Sequence, residues 1–216
     1  MHEELLQKMA RARDAAYGTL GRMEADVLTF ILNPTFNGGP RWPSLRQAWR
    51  VIHRPGGMLL ASDGLSDPFD DQDGPSMGFG IECILETDEP LPRVQDSWPF
   101  QALVQVCQTA AGHGGLRQLL DEMKLVSVEL SGEGMPDSLV TADDSVGVLL
   151  GMGSSTLPTL IQTPAGDVHL VTVKLLLAEE LEYVRQNGAK GRAELARRFA
   201  RNGEEHLSRA RRAPVI

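Results

Sequence analysis

The spacing of apolar residues divides the chain into helical ends and an extended middle. Leu5, Leu6, Met9, Ala12 and Ala16 fall on one stripe among charged residues, which predicts an amphipathic helix over 3–17, closed by Gly18 and Gly21. Residues 26–32 are apolar and β-branched enough for a strand or a short helix, ended by Asn33-Pro34. Residues 44–50 read either way, with Leu45, Ala48 and Trp49 suggesting a helical turn. Beyond the turn Pro55-Gly56-Gly57, residues 58–62 predict a strand and 79–86 a central strand. The stretch 64–80 between them is glycine, proline and acid, the composition of a loop. Residues 98–111 predict a helix entered at Pro99, because proline is tolerated in a first turn. Residues 116–123 add a helical piece, 125–130 a strand and 158–163 an extended segment. A turn at 163–167 leads into the β-rich stretch 168–177. Residues 178–186 carry Glu179, Glu180 and Glu182 early, where the helix dipole favours acid, and Asn187-Gly188 is a stop signal. A second, basic helix follows over 191–212. Strands in the middle and helices at the ends describe one α+β domain over 1–200, with 201–216 as a basic C-terminal tail.

Length and composition suit that count. At 216 residues, 42% apolar and 23% charged, the chain buries roughly 70% of its surface on folding without a disulfide or metal staple. Cys83 and Cys107 sit in apolar runs without CxxC spacing, which reads as two small buried hydrophobes in a reducing cytoplasm. The acidic start Met1-His2-Glu3-Glu4 lacks the features of a signal peptide, and no apolar stretch has membrane-spanning length. The expectation is a soluble, cytoplasmic protein.

Charge changes the picture more than composition does. Residues 63–96 hold ten acids and one base, a net of −9, whereas residues 190–212 hold eight bases and three acids, a net of +5. A run of carboxylates repels nucleic acid. The bases of 190–212 are too scattered, and too poor in aromatic neighbours, for a nucleic-acid or membrane stripe.

Motifs for chemistry are missing. There is no GxxxxGK[ST] and no GxSxG, and His2, His53, His113, His169 and His206 have no metal-ligand spacing. Asp67, Asp70, Asp71 and Asp73 lack the register of a calcium loop. No cofactor and no metal are expected, and the sequence reads as a non-enzyme. A hydrolase built on Asp67, Asp71 and Glu82 is the catalytic alternative.

The strongest pattern is Gly64-Leu-Ser-Asp67, an acidic loop, then Asp73-Gly-Pro-Ser-Met-Gly-Phe-Gly-Ile-Glu82. Gly74, Gly78 and Gly80 permit sharp turning and close backbone approach, while Phe79 and Ile81 point inward and Glu82 to the other face. In the same order come Ser97-Trp98-Pro99 opening a helix, a Gln162-Thr-Pro164-Ala-Gly166-Asp-Val turn and strand, and Ala178-Glu179-Glu180-Leu181. Together these resemble the Suppressor of fused family, over about residues 49–198. Met77 departs from the glycine usual in that family, and the second lobe of the animal protein has no counterpart in these residues.

The resemblance implies a mixed β-sheet flanked by helices, like the family's N-terminal lobe, and a role in gripping polypeptides. In the animal protein a partner peptide lies in a cleft shared with the second lobe, so that cleft does not carry over whole. Short one-lobe bacterial relatives include immunity proteins that neutralise toxins. The leading expectation is therefore an immunity protein whose acidic loop meets a basic toxin through Asp67, Asp70, Asp71, Asp73 and Glu82, since complementary charge speeds encounter. Asp67 could equally cap backbone amides, and Glu82 could simply face solvent. Gly64, Ser66, Gly74, Pro75, Gly78, Phe79, Gly80, Trp98, Pro164 and Gly166 are expected to shape the motif. A general regulatory scaffold remains the other binding alternative, and no nucleic acid or membrane is expected as partner.

Overall fold

The computed structural model describes residues 2–72 and 74–216, so Asp73 lies outside the described residues. Helix α1 (His2–Gly18) precedes two short strands, β1 (Arg22–Met23) and β2 (Leu28–Thr29). Strands β3 (Ala48–Arg54), β4 (Gly57–Asp63) and β5 (Ile81–Thr87) follow, then helices α2 (Trp98–His113) and α3 (Leu116–Met123). Strands β6 (Val126–Ser131), β7 (Ser145–Leu150), β8 (Leu160–Thr163) and β9 (Gly166–Leu175) lead into α4 (Ala178–Arg201). The strands form one mixed sheet in the order β1-β3-β4-β5-β9-β7-β6, with β2 also on β3 and β8 also on β9. All pairings are antiparallel except β5 with β9. The mixed sheet flanked by helices expected from the sequence is what forms.

Helices cover both faces of the sheet. Ile81, Cys83 and Leu85 of β5 join Trp49, Val51 and Leu60 beneath Phe100, Leu103, Val106 and Cys107 of α2. The alternate residue Ile84 lies on the opposite face with Leu59, Ala61 and Ile52, covered by Met9 and Tyr17 of α1. A third cluster packs Leu149 and Leu176 against Val184, Leu195 and Phe199 of α4. Strand β5 is buried on both faces, and its apolar residues Ile81, Cys83, Ile84 and Leu85 are interrupted by the buried Glu82. Among the described residues, no helix is long and apolar enough to cross a membrane.

Three elements differ from the sequence reading. Residues 48–54 form a strand, because β3 is held between β4 on one side and β1 and β2 on the other. Strand β7 was not expected at all. At Gly188 the chain turns through φ 55°, ψ −131°, so the stop signal produces a kink and the helix then resumes. The basic tail also departs from the expectation of a long helix. After Arg201 the chain folds back, and His206, Ser208 and Ala210 are buried against the sheet.

Candidate functional site

The motif loop is built from tight backbone contacts. Gly64 has φ 149°, and a Cβ there would lie 2.4 Å from the Arg46 carbonyl oxygen. Gly78 has φ 51°, with the Asp67 and Leu65 carbonyl oxygens 2.4 and 2.6 Å from the same position. These approaches let the Phe79 amide donate to the Leu65 carbonyl at 2.9 Å, closing the loop at its base. Phe69 and Phe79 then meet edge to face. Ser76 Oγ accepts from the Phe69 amide at 2.9 Å, while Gly74 and Pro75 border a cavity of about 390 Å³ beneath α1. Gly80 has φ 67°, and its nearest neighbour is the Arg117 side chain. Pro164 and Gly166 form the β8–β9 turn, where Thr163 Oγ1 donates to the Gly166 carbonyl at 2.6 Å. Met77 fills the space beside Gly166 that a Cβ would take, so the departure from the family pattern is absorbed by local packing. Trp98 is half-buried against the main core.

Beneath this loop lies a buried ionic network. Arg13, on α1, has no exposed surface; its Nε donates to Asp63 at 2.9 Å, its Nη1 to Ser66 at 3.1 Å, and its Nη2 to Asp67. Glu82 accepts from the Gly64 and Ser66 amides at 3.1 and 3.0 Å, from Ser66 Oγ at 2.6 Å, and from Ser62 Oγ. Ser44 Oγ donates to Asp67 at 2.6 Å. Arg46 and Arg50 close the outer side on Asp63 at 2.6 and 3.0 Å. Burial acts against the Arg13 charge, yet Glu82, Asp67 and Asp63 outweigh it and hold its pKa above the usual guanidinium range. Burial would raise Asp63, but the Arg46 hydrogen bond and the charges of Arg13, Arg46 and Arg50 bring it down to about 2. For Glu82, burial dominates and raises the carboxyl above its ordinary value, against the pull of Arg13.

Two sequence expectations are thereby corrected. Asp67 does not project from an exposed acidic loop, and Glu82 does not face solvent; both are fully buried. The reason is α1, whose Arg13 lands on the face of β5 that carries Glu82 and supplies the counter-charge buried carboxylates require. The hydrolase alternative loses its reagents, because two of its three carboxylates have no surface for a substrate to reach. Asp70 and Asp71 remain at the surface, both paired with Arg41.

The acidic run as a whole is neutralised from within. Besides these pairs, Glu86 meets Arg54 at 2.9 Å and His206 at 2.7 Å, and Asp88 meets Arg209 at 2.6 Å. Glu89 accepts from the Ala210 and Arg211 amides, and Asp96 meets Arg93. Each of the nine described acids of 63–96 thus has a cation or an amide partner.

Sequence reasoning missed one surface feature. Ile31, Leu32 and Phe36 are exposed, and Phe30 is partly so while stacking edgewise on Trp49. The loop presenting them is braced: Asn33 Oδ1 accepts from the Thr35 amide at 2.9 Å, and Gln47 Nε2 donates to Asn33, Thr35 and Pro40. The apolar run 26–32 was its sequence signal, and it read as a strand or a short helix, of which only Leu28–Thr29 is strand.

No protein-family model matches the chain, and no curated protein matches it in sequence. Solved structures do. Drosophila Suppressor of Fused aligns with a TM-score of 0.61 at 15% identity, over 98% of this chain and 51% of that one. The chain therefore spans about half the length of the Drosophila protein. A structure described as the Sufu–Fu complex aligns with a TM-score of 0.62 at 16% identity, over 98% of this chain and 92% of that one. The fold is that of these proteins.

Proposed function

We propose that this chain is a non-catalytic protein-binding module. The observation carrying this reading is the near full-length likeness in fold to a chain solved in a complex, Sufu with Fu. The braced apolar loop supports it, since a contiguous exposed apolar patch on an ordered loop suits the core of a protein interface. The finer proposal is an immunity protein acting in the cytoplasm on a basic toxin. In that reading Asp70 and Asp71 are the contact carboxylates, with Asp73 in the same loop, while Asp67 and Glu82 hold the loop in shape. A cleft of about 400 Å³ is bordered by Asp71, Arg41, Phe69 and Phe79, and an incoming basic side chain would compete there with Arg41 for Asp71.

Capture of a protein from the native host on the tagged chain is the first test. Association rates for wild type and the Asp70→Asn/Asp71→Asn variant, at two salt concentrations, are the second. The variant should associate more slowly with a flatter salt dependence, and its melting temperature should stay within a degree or two, because exposed pairs contribute little. Equal rates at both salts would move the interface away from this loop.

A further inference from the structure

The parallel pairing of β5 with β9 stops at Ile84 and Thr172, and beyond it the strands part. Residues 206–208 run into the gap. Leu207 forms a parallel bridge with Glu86, and the Ser208 amide donates to the Glu86 carbonyl at 2.8 Å. Across the gap, Ser208 Oγ accepts from the Leu175 amide at 3.0 Å and donates to the Val173 carbonyl at 3.1 Å. Lys174 Nζ donates to the Leu207 carbonyl. The C-terminal segment thus stands where a strand would.

Its flanks are matched by charge. Arg209 meets Asp88, the amides of Ala210 and Arg211 meet Glu89, and Arg212 grips Glu180 at 2.5 Å. The seat is also imperfect. Of the seven buried polar side-chain atoms without a hydrogen bond among the described residues, two belong to this segment, His206 Nδ1 and Arg212 Nε, and a third, Glu204 Oε2, lies just before it at 3.6 Å from Lys174 Nζ. At its entrance Glu205 is held at φ 33°, a conformation costly for a residue with a side chain, beside Gly203 at φ 67°. The unpaired atoms of His206 and Arg212 leave with the segment and regain water when it is displaced, which lowers the cost of exchanging it for another.

We infer that the gap between β5 and β9 is a strand-acceptor site for an extended basic segment, filled in cis by residues 206–212 and taken in trans by a partner's segment of like chemistry. Main-chain bonding supplies the affinity, and the acids around the slot select for base. Because the cis segment is tethered, it competes at a high effective concentration, so only a better-fitting partner displaces it. This deepens the protein-binding reading by naming what the partner presents.

The test uses the full chain and a fluorescein-labelled peptide of residues 203–213 as the probe. Ser208→Pro in the full chain removes the amide that bonds to Glu86 and unseats the cis segment while leaving the slot walls unchanged. This variant should bind the peptide saturably and at least tenfold more tightly than wild type does. Adding Asp88→Lys to the chain, or placing Ser208→Pro in the peptide, should each weaken binding about tenfold or more. No binding by a folded Ser208→Pro chain would overturn the proposal, as would binding indifferent to both changes. If that variant fails to fold, hydrogen exchange on wild type decides. Release of the Ser208 and Leu175 amides ahead of the β5 core supports a displaceable segment, and release only with global unfolding overturns it. A dimer formed by exchanging C-terminal segments and dissolved by the peptide would assign the slot to a second copy and overturn the foreign partner. The probe is the chain's own segment, so a negative result leaves the capture experiment standing.

Discussion

Removing the Arg13 guanidinium would leave Asp67 and Glu82 buried with no cation in contact, while Asp63 would keep Arg46 and Arg50 on its outer side. Breaking a buried pair by deleting one partner costs about 3 to 5 kcal/mol. Arg13→Ala should therefore lower the urea midpoint sharply, whereas Arg41→Ala, which removes only exposed pairs, should change stability by less than about 1 kcal/mol. Equal effects would show that the network is not buried as described. Lys174 gives a second test at this scale. It has no exposed surface, and burial, assisted by the nearby charge of Arg212, brings its pKa down from 10.5 to about 7. A base whose folded pKa lies below its unfolded value binds fewer protons when folded between the two, so stability rises with pH through that window. Between pH 7 and pH 9 the gain is about 2 kcal/mol in wild type and should vanish in Lys174→Met. A wild-type curve that is flat or falling over this range, or one that Lys174→Met leaves unchanged, would refute that role. The Cys107 hydrogen bond and burial raise the Cys83 pKa, and burial raises that of Tyr17, so each costs stability once pH passes its unfolded value, about 8.5 for the thiol; both chains share this loss, and the difference between wild type and Lys174→Met is the measure.

At the scale of elements, glycines of the motif loop can be ranked by what a Cβ would strike. Gly78 faces two backbone carbonyls that cannot yield, while Gly80 faces the end of the flexible Arg117 side chain. Both sit at positive φ, which alone costs roughly 1 to 2 kcal/mol for an alanine. Gly80→Ala should cost about that much, and Gly78→Ala clearly more, as thermal melts of the two variants would show. The constraint at Gly80 is thus its backbone conformation rather than the close approach of strands. Helices α2 and α3 were legible because their apolar spacing and terminal residues agree with their packing. Strand β3 was not, since Ala48-Trp49 suits either element locally and only its neighbours in the sheet decide. Strand β7 was lost because Gly147 breaks its apolar run, although that glycine is there to admit the Leu181 side chain of α4. The motif carboxylates were found, but their burial was not. Arg13 is one of several charges on an amphipathic helix, and nothing local indicates that it alone turns inward.

For the whole molecule, the opposed charge of 63–96 and 190–212 is a partly internal pairing rather than two free surfaces. Arg209 on Asp88, His206 on Glu86 and Arg212 on Glu180 fasten the end of the chain to β5, the loop after it and α4. The sequence reading made 201–216 a basic tail outside the domain, which a protease would clip first, and the seated segment argues the reverse. Trypsin needs an extended, accessible stretch, yet Arg209 and Arg212 are engaged in ion pairs, and although the Arg211 side chain is exposed, the amides of Ala210 and Arg211 are held by Glu89 and that of Ser208 by Glu86. At low ionic strength the intact mass should therefore persist, and the exposed loop around Asp70 and Asp71 adds no early cut because it holds no lysine or arginine. Raising salt to about 1 M shortens the screening length to roughly 3 Å and weakens the half-exposed Arg209–Asp88 pair, while the buried Arg212–Glu180 pair is screened far less. Cleavage after Arg209 should accelerate with salt, and cleavage after Arg212 should lag behind it in a mass-spectrometric time course. Prompt loss of residues beyond Arg201 at low salt would show that charge pairing does not hold this segment in place.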